Sequence, residues 1–463
     1  MRLTAWLILA ILTFATAAGA APAADDVSCH VGAYRLADGS VVDIAKAADP
    51  GKLRWRRMDG TTGELTASAG GAWTSTLGWT GRPDGVAVSL PPCETGRLSF
   101  NGAEGRRIAF DVTETRFAVE DAELAGRLVL PKGSGRAPIV VLIHGSEHNS
   151  ARDDYALQRL FPAAGIGAFV YDKRGTGGSG GQYTQDYLTL AVDAVDAMRE
   201  ARRLAGARAG RVGYQAGSQG GWVAPLAARL EPVDFVIVGF GLAISPLQED
   251  RAAIALDVTR HGYGPDVMAK AMQVADASAA ILTSNFQDGY DKLDAVRARF
   301  GQEPWFHDIH GDVTWILLQK TPAELRVAGP KLFANVPLHY DPMPVLRNLA
   351  TPQLWILGQD DVDAPSAETA RRLQALGATG RPISVAVFAH AEHGIYEYET
   401  QADGARLSTR QPAGYFPMMR DFVLGRRLTG GYGAATQALA PAPAAESRDT
   451  HAFPRCAAAA GPE

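Results

Sequence analysis

Cysteine is scarce in this chain: Cys29, Cys93 and Cys456 are three residues in 463, and none lies within a metal-ligand pair. That excludes a zinc site of the paired-cysteine kind. Charge of one sign is equally thin. Lys and Arg number 45 against 50 Asp and Glu, for a net charge of -5. No basic run occurs, which excludes a nucleic-acid surface. The apolar run from Ala5 to about Ala15 is short for a membrane span. With Arg2 before it and Ala18-Gly19-Ala20 after it, residues 1–20 are expected to be a signal peptide cut after Ala20. No cysteine follows directly, so a lipid anchor is not expected. The mature chain is therefore expected to be secreted or periplasmic, with no membrane span. In an oxidising compartment Cys29 and Cys93 either bridge the two ends of the first module or stay as separate thiols, and Cys456 is left free.

What the chain does have is a hydrophobic content of 46%, enough for a large core, and a length that calls for more than one domain. Residues 27–114 carry short alternating runs cut by Asp38-Gly39, Asp59-Gly60 and Asp84-Gly85 at hairpin spacing, with almost no helical periodicity. They predict a small antiparallel β domain, read as a passive module in preference to a scaffold that packs on or shades the catalytic entrance. Residues 115–131 predict a strand pair. Strands and helices then alternate to residue 428, with apolar runs at 138–144, 166–171, 353–357 and 383–388 and helices at 154–164 and 187–205, as in a mostly parallel sheet. The alternation lapses over residues 241–344, where helical stretches at 250–261, 267–283, 290–300 and 322–333 predict a cap over a pocket. Ser366 is the expected N-cap of the next helix. Residues 415–428 predict a terminal helix. Residues 429–463, rich in Gly, Ala and Pro, are expected to form a disordered tail.

The chemistry gathers around residues 211–230. A short β-type run stops at Ala216-Gly217-Ser218-Gln219-Gly220-Gly221, and an Ala-rich helical pattern follows at once. Strand, tight turn and helix make a nucleophile elbow, where a serine is pushed out over the sheet edge and only small neighbours fit. The general pattern is G-x-S-x-G; here Gly220 holds the downstream position and Ala216 replaces the upstream glycine. A serine nucleophile needs a base, and the base needs an orienting carboxylate. The acid comes from Asp360, Asp361 and Asp363, of which Asp361 has the best spacing, three residues after Gly358 and four before Pro365. The base is His390 or His393, with His393 preferred because Gly394 follows it and it lies further past the last strand. The oxyanion would be held by the backbone N–H of Gln219, where the helix dipole helps, and by that of Ser146 in the turn His144-Gly145-Ser146-Glu147. Residues 305–312 hold His and Asp without a second ligand cluster, so no metal is expected. The glycines at 175–181 open no helix and have no P-loop lysine, so no nucleotide is expected.

In this order, IHGSEHN, YDKRGTGGSGG, AGSQGGW, WILGQDDVDAP and AEHGIY resemble the exported α/β-hydrolases of the serine esterase and serine aminopeptidase kind, which often carry an extra N-terminal β domain. The resemblance spans residues 115–428. It implies Ser218 as nucleophile, Asp361 as acid and His393 as base, with Asp172 and Arg174 structural through an internal ion pair or hydrogen bonds. The expected activity is cofactor-free hydrolysis of a small carboxylic ester through an acyl-enzyme, rising through about pH 6 to 7 as the base becomes neutral. Short-peptide or thioester cleavage on the same three residues is the alternative. A non-catalytic binding protein on a decayed hydrolase fold is the alternative of another class.

Overall fold

The computed structural model describes residues 27–68 and 72–440. The expected signal segment and Cys456 lie outside the described residues.

Eight strands close into an antiparallel barrel: β1 (Gly32–Leu36), β2 (Val41–Lys46), β3 (Leu53–Arg57), β4 (Thr62–Ala67), β5 (Ala72–Leu77), β6 (Pro83–Ser89), β7 (Arg97–Phe100) and β8 (Ala103–Arg107). The Asp38-Gly39 and Asp59-Gly60 turns work as hairpins because Gly39 and Gly60 take positive φ of 83° and 88°, whereas the expected turn at Asp84-Gly85 falls inside β6, where Gly85, at a φ of 76°, lies beside a register shift against β5. In each, the preceding aspartate accepts a backbone N–H two residues on, at 2.8, 3.0 and 2.9 Å for Asp38, Asp59 and Asp84. Alternation along β3 sends Leu53 and Trp55 into the barrel core beside Leu65, Trp73 and Phe100, and leaves Arg54 and Arg56 on the outer face. A Cys29–Cys93 disulfide ties the entry of the barrel to the segment before β7.

The chain leaves the barrel at residues 108–109, earlier than the expected boundary at 114, because β9 (Phe110–Ala118) already belongs to the second sheet. It forms a hairpin with β10 (Glu123–Pro131). The sheet continues through β11 (Ala137–Ile143), β12 (Gly167–Tyr171), β13 (Ala209–Gly217), β14 (Val236–Gly239), β15 (Gln353–Gly358) and β16 (Ile383–Phe388). Its order is β16-β15-β14-β13-β11-β12-β10-β9, parallel from β16 to β12, with β10 antiparallel at the far side. Alternate residues of the central strands feed two cores. Ile139, Val141, Tyr214, Val238 and Trp355 pack with the helices Tyr187–Ala205 and Gly220–Leu230, whereas Val140, Leu142, Ile237 and Ile356 pack with Phe161, Met418 and Met419. Burial on both faces is why these strands are continuous apolar runs. A closed barrel beside a doubly covered, mostly parallel sheet with a serine elbow is an α/β-hydrolase architecture with an added antiparallel β domain.

Several elements depart from expectation. The helix expected at 154–164 is broken into Ala151–Asp154 and Leu157–Ala163. After β16 the chain makes a three-stranded sheet, β17 (Ala391–Glu392), β18 (Tyr396–Thr400) and β19 (Arg406–Arg410). Ser366 does not cap with its side chain; its Oγ donates to Gly358 O at 2.5 Å, closing the loop below β15. The expected tail is corrected too: β20 (Ala435–Ala438) pairs antiparallel with β16 at the sheet edge. Backbone pairing needs no apolar side chains, so composition alone conceals it. Residues 441–463 lie outside the described residues.

The cap forms as helices. Pro246–Arg260 begins earlier than its apolar pattern because Ser245 and Gln248 make a reciprocal capping box, and Pro265–Thr283, Tyr290–Phe300 and Pro322–Leu332 follow. Among the described residues no helix is long and apolar enough to cross a membrane.

Candidate active site

Ser218 sits between β13 and the helix Gly220–Leu230 with a φ of +52°, a left-handed conformation that a side-chain-bearing residue adopts only under constraint. The constraint is visible around it. A Cβ on Gly220 would come within 2.9 Å of both the Ala216 Cβ and His144 O, and one on Gly221 within 2.9 Å of Gly241 Cα. A Cβ on Gly217 would come within 2.5 Å of the Phe240 ring. Ala216 for glycine is thereby explained: its methyl is buried against the space that Gly220 leaves empty, and the upstream crowding falls on Gly217 instead.

His393 follows β17 and points back over this turn. Its Nε2 lies 3.2 Å from Ser218 Oγ and its Nδ1 3.0 Å from Asp361 Oδ2. The carboxylate partner assigns the proton to Nδ1, which leaves Nε2 as the acceptor facing the serine. Asp361 is buried, and its Oδ1 accepts the N–H groups of Asp363 at 3.1 Å and Ala364 at 2.8 Å, so the carboxylate is fixed in the loop after β15. Phe240 stands edge-on to the imidazole, 4.9 Å between ring centres. Burial pushes the His393 pKa down, but the hydrogen bond and charge of Asp361, with the charges of Asp363 and Asp312, outweigh it, and the net shift is upward.

The other candidates stand elsewhere. The His390 side chain is 89% exposed and faces Asp360 at 3.7 Å, and Asp360 itself accepts from Tyr398 Oη at 2.9 Å. Asp363 is exposed and meets the site through its backbone.

The proposed oxyanion donors flank Ser218. Among the described residues neither the Gln219 nor the Ser146 N–H is paired with an acceptor, whereas the Gly145 N–H between them is taken by Glu147 Oε1 at 3.2 Å. The Gln219 side chain donates to Gln185 Oε1 at 2.8 Å, and Gln185 N donates to Ala334 O at 2.9 Å, linking the elbow to the cap.

The turn at 144–147 is pinned from below by a residue that sequence reasoning missed. Lys173 is buried and its Nζ donates to Gly145 O at 2.7 Å, with the Tyr183 ring 4.7 Å away. Burial pulls its pKa down to about 8 against the opposing charge of Glu147. Burial also pulls His144 down to about 4, so the histidine that opens the turn is neutral. The signal was the buried lysine in YDKRG itself, which glycines and flanking charges overshadow. Asp172 and Arg174 are structural but not paired with each other. Asp172 accepts from Ser150 Oγ at 2.7 Å and Gly178 N at 2.9 Å, and Arg174 forms a two-pronged pair with Asp193 at 2.7 Å for both contacts.

The barrel reaches this site. Arg410 Nη2 donates to Asp59 O at 2.7 Å, Gln411 N to Gly60 O at 3.0 Å, and Trp79 stacks edge-on to Tyr396 at 4.8 Å. The β18–β19 hairpin that follows His393 is thus held against the barrel. A cavity of about 290 Å³ beside Ser218 is lined by Phe240, Tyr396 and Leu157 from the hydrolase unit and by Arg56 from β3.

No family model matches the sequence, and no curated protein matches it. Some solved structures resemble it at low identity. The esterase Pf2001 of Pyrococcus furiosus is 15% identical with a TM-score of 0.40, over 61% of this chain and 84% of its own. An acylaminoacyl peptidase of Pyrococcus horikoshii is 17% identical at 0.41, over 84% of this chain and 57% of its own. A thermophilic esterase of Thermogutta terrifontis is 19% identical at 0.34, over 61% and 91%.

Proposed function

We propose that the protein is an exported serine hydrolase that cleaves carboxylic esters through an acyl-enzyme. The observation that carries this reading is the continuous chain from Ser218 Oγ through His393 to Asp361, at 3.2 and 3.0 Å, on a serine held at positive φ. In this reading His393 Nε2 takes the Ser218 proton as Oγ attacks the carbonyl carbon, and Asp361 stabilises the imidazolium that forms. The Gln219 and Ser146 N–H groups receive the oxyanion, His393 returns the proton to the leaving alcohol, and water releases the acid by the same steps in reverse order. The chain's own groups supply every proton transfer, so no cofactor or metal is invoked. Export is supported by the Cys29–Cys93 disulfide, which suits an oxidising compartment.

A fluorophosphonate probe tests the nucleophile. Wild-type protein is expected to label and Ser218→Ala not to; a folded wild-type protein that never labels would leave only a binding role. Steady-state turnover of p-nitrophenyl esters and of aminoacyl p-nitroanilides then tests the substrate class, and turnover of the anilides alone would replace esterase by peptidase.

A further inference from the structure

Arg56 is set apart from the other arginines along the seam between barrel and hydrolase unit. Arg54 donates to Gly78 O at 2.8 Å and pairs with Glu64 at 3.3 Å, Arg159 pairs with Asp43 at 2.5 Å, and Arg410 donates to Asp59 O at 2.7 Å. The Arg56 Nη1 is buried with no hydrogen-bond partner, and among the described residues Arg56 joins no ion pair. A buried guanidinium N–H without an acceptor costs free energy until water or a ligand entering the cavity supplies one.

Its position says what kind of ligand that is. Arg56 lines the cavity that also touches Gly217 and Ser218, and the recess beyond, which shares Leu157, Leu160 and Tyr396 with it. Between nucleophile and cation the walls are mainly apolar. Two carboxylates also line the cavity: Glu147 accepts from the Tyr155 hydroxyl and the Gly145 N–H and has its charge opposed by that of Lys173, and Asp154 accepts from the Asn149 amide. The unanswered group is the cation. A guanidinium offers a planar fork of donors that matches a carboxylate.

We propose that Arg56 binds a carboxylate at the far end of the acyl part of the substrate, making dicarboxylic half-esters the preferred class. This rests on the serine hydrolase reading. The acyl part is assigned because it stays on Ser218 through both half-reactions, whereas the alcohol leaves after the first. Ser218 Oγ forms the new ester bond, the alcohol departs with the proton carried by His393, and water then frees the dicarboxylic acid.

The test compares kcat/KM for the p-nitrophenyl monoester of glutaric acid with that for neutral p-nitrophenyl butyrate. Wild-type protein is expected to favour the half-ester, and Arg56→Gln to lower the ratio of the two about 10- to 100-fold, the range for a hydrogen bond to a charged group. Arg56→Lys, which keeps the charge and loses the fork, is expected to fall between. A ratio unchanged in both variants, with melting temperatures near wild type, overturns the proposal. Calorimetry with monomethyl glutarate on Ser218→Ala gives a reading independent of turnover: binding that disappears in Ser218→Ala/Arg56→Gln supports the carboxylate site, and absence of binding overturns it. If neither ester turns over and the probe does not label Ser218, the hydrolase reading fails, and calorimetry still decides the Arg56 site.

Discussion

His393 sits under opposing influences whose balance sets two pH dependences of opposite sign. In the proposed mechanism the base must be neutral to accept the Ser218 proton, and its pKa is raised above the ordinary histidine value of 6.5 because Asp361, with Asp363 and Asp312, outweighs burial. The acid limb of kcat/KM is therefore expected above pH 6.5, with activity lost as pH falls through it. Stability runs the other way. A group whose pKa is raised on folding contributes stability that is fully present below its unfolded value and fades as pH rises through the folded value. Asp361→Asn removes the main charge and leaves burial opposed only by Asp363 and Asp312, so the limb is expected to move to lower pH while kcat falls about 10⁴-fold, as for loss of the orienting carboxylate in this kind of triad. A pH–rate profile of both proteins checks this. A limb that stays in place would show that the 3.0 Å contact does not tune the base.

At the level of elements, the turn at 144–147 owes its shape to Lys173 at the end of β12, since the buried Nζ is the donor to Gly145 O. Lys173→Met keeps the stem and deletes the donor. The carbonyl is left unpaired at a cost of about 1–3 kcal/mol in stability. The Ser146 N–H then loses its support, and a displacement of even about 1 Å in such a group can cost about 100-fold in rate. The expected result is a kcat reduced roughly 10- to 100-fold with KM little altered. A rise in KM with kcat intact would place Lys173 in ground-state binding instead. Elements of this local kind were legible beforehand in proportion to how local their causes are. The elbow, the central strands and the helix Tyr187–Ala205 follow from small residues, two-sided burial and periodicity carried within the segment itself. The convergence of Ser218, Asp361 and His393 was legible because each follows a recognisable strand. The β18–β19 hairpin was not, because most of its residues are half-buried on both faces, which leaves no alternation of apolar and polar residues to mark the strands. Nor was β20, whose Ala-rich segment is held by backbone bonds to β16.

For the whole molecule the decisive feature is the seam that puts a barrel arginine beside a serine 162 positions later in the chain, counting from 56 to 218. Neither segment announces the other, so the seam had no sequence signature. Its buried ion pair is Asp43 on β2, fully buried, which receives Arg159 Nε and Nη2, from the helix Leu157–Ala163, at 2.5 and 2.9 Å, beside the exposed pair of Arg82 with Glu399. Removing one partner of such a pair leaves an uncompensated buried charge, so Arg159→Ala is expected to cost about 3–5 kcal/mol. Replacing both, as in Asp43→Asn/Arg159→Gln, is expected to cost less than the single change because no charge is stranded. Denaturant unfolding of the three proteins reads this directly. The same helix lines the cavity through Leu157 and Leu160, so a loosened seam also moves the wall opposite Arg56. If the half-ester reading holds, Arg159→Ala should lose selectivity between charged and neutral esters along with stability. A loss below about 1 kcal/mol, in the range of an exposed pair, would mean that the barrel is held to the hydrolase unit chiefly by the hairpin contacts at Gly60 and Trp79.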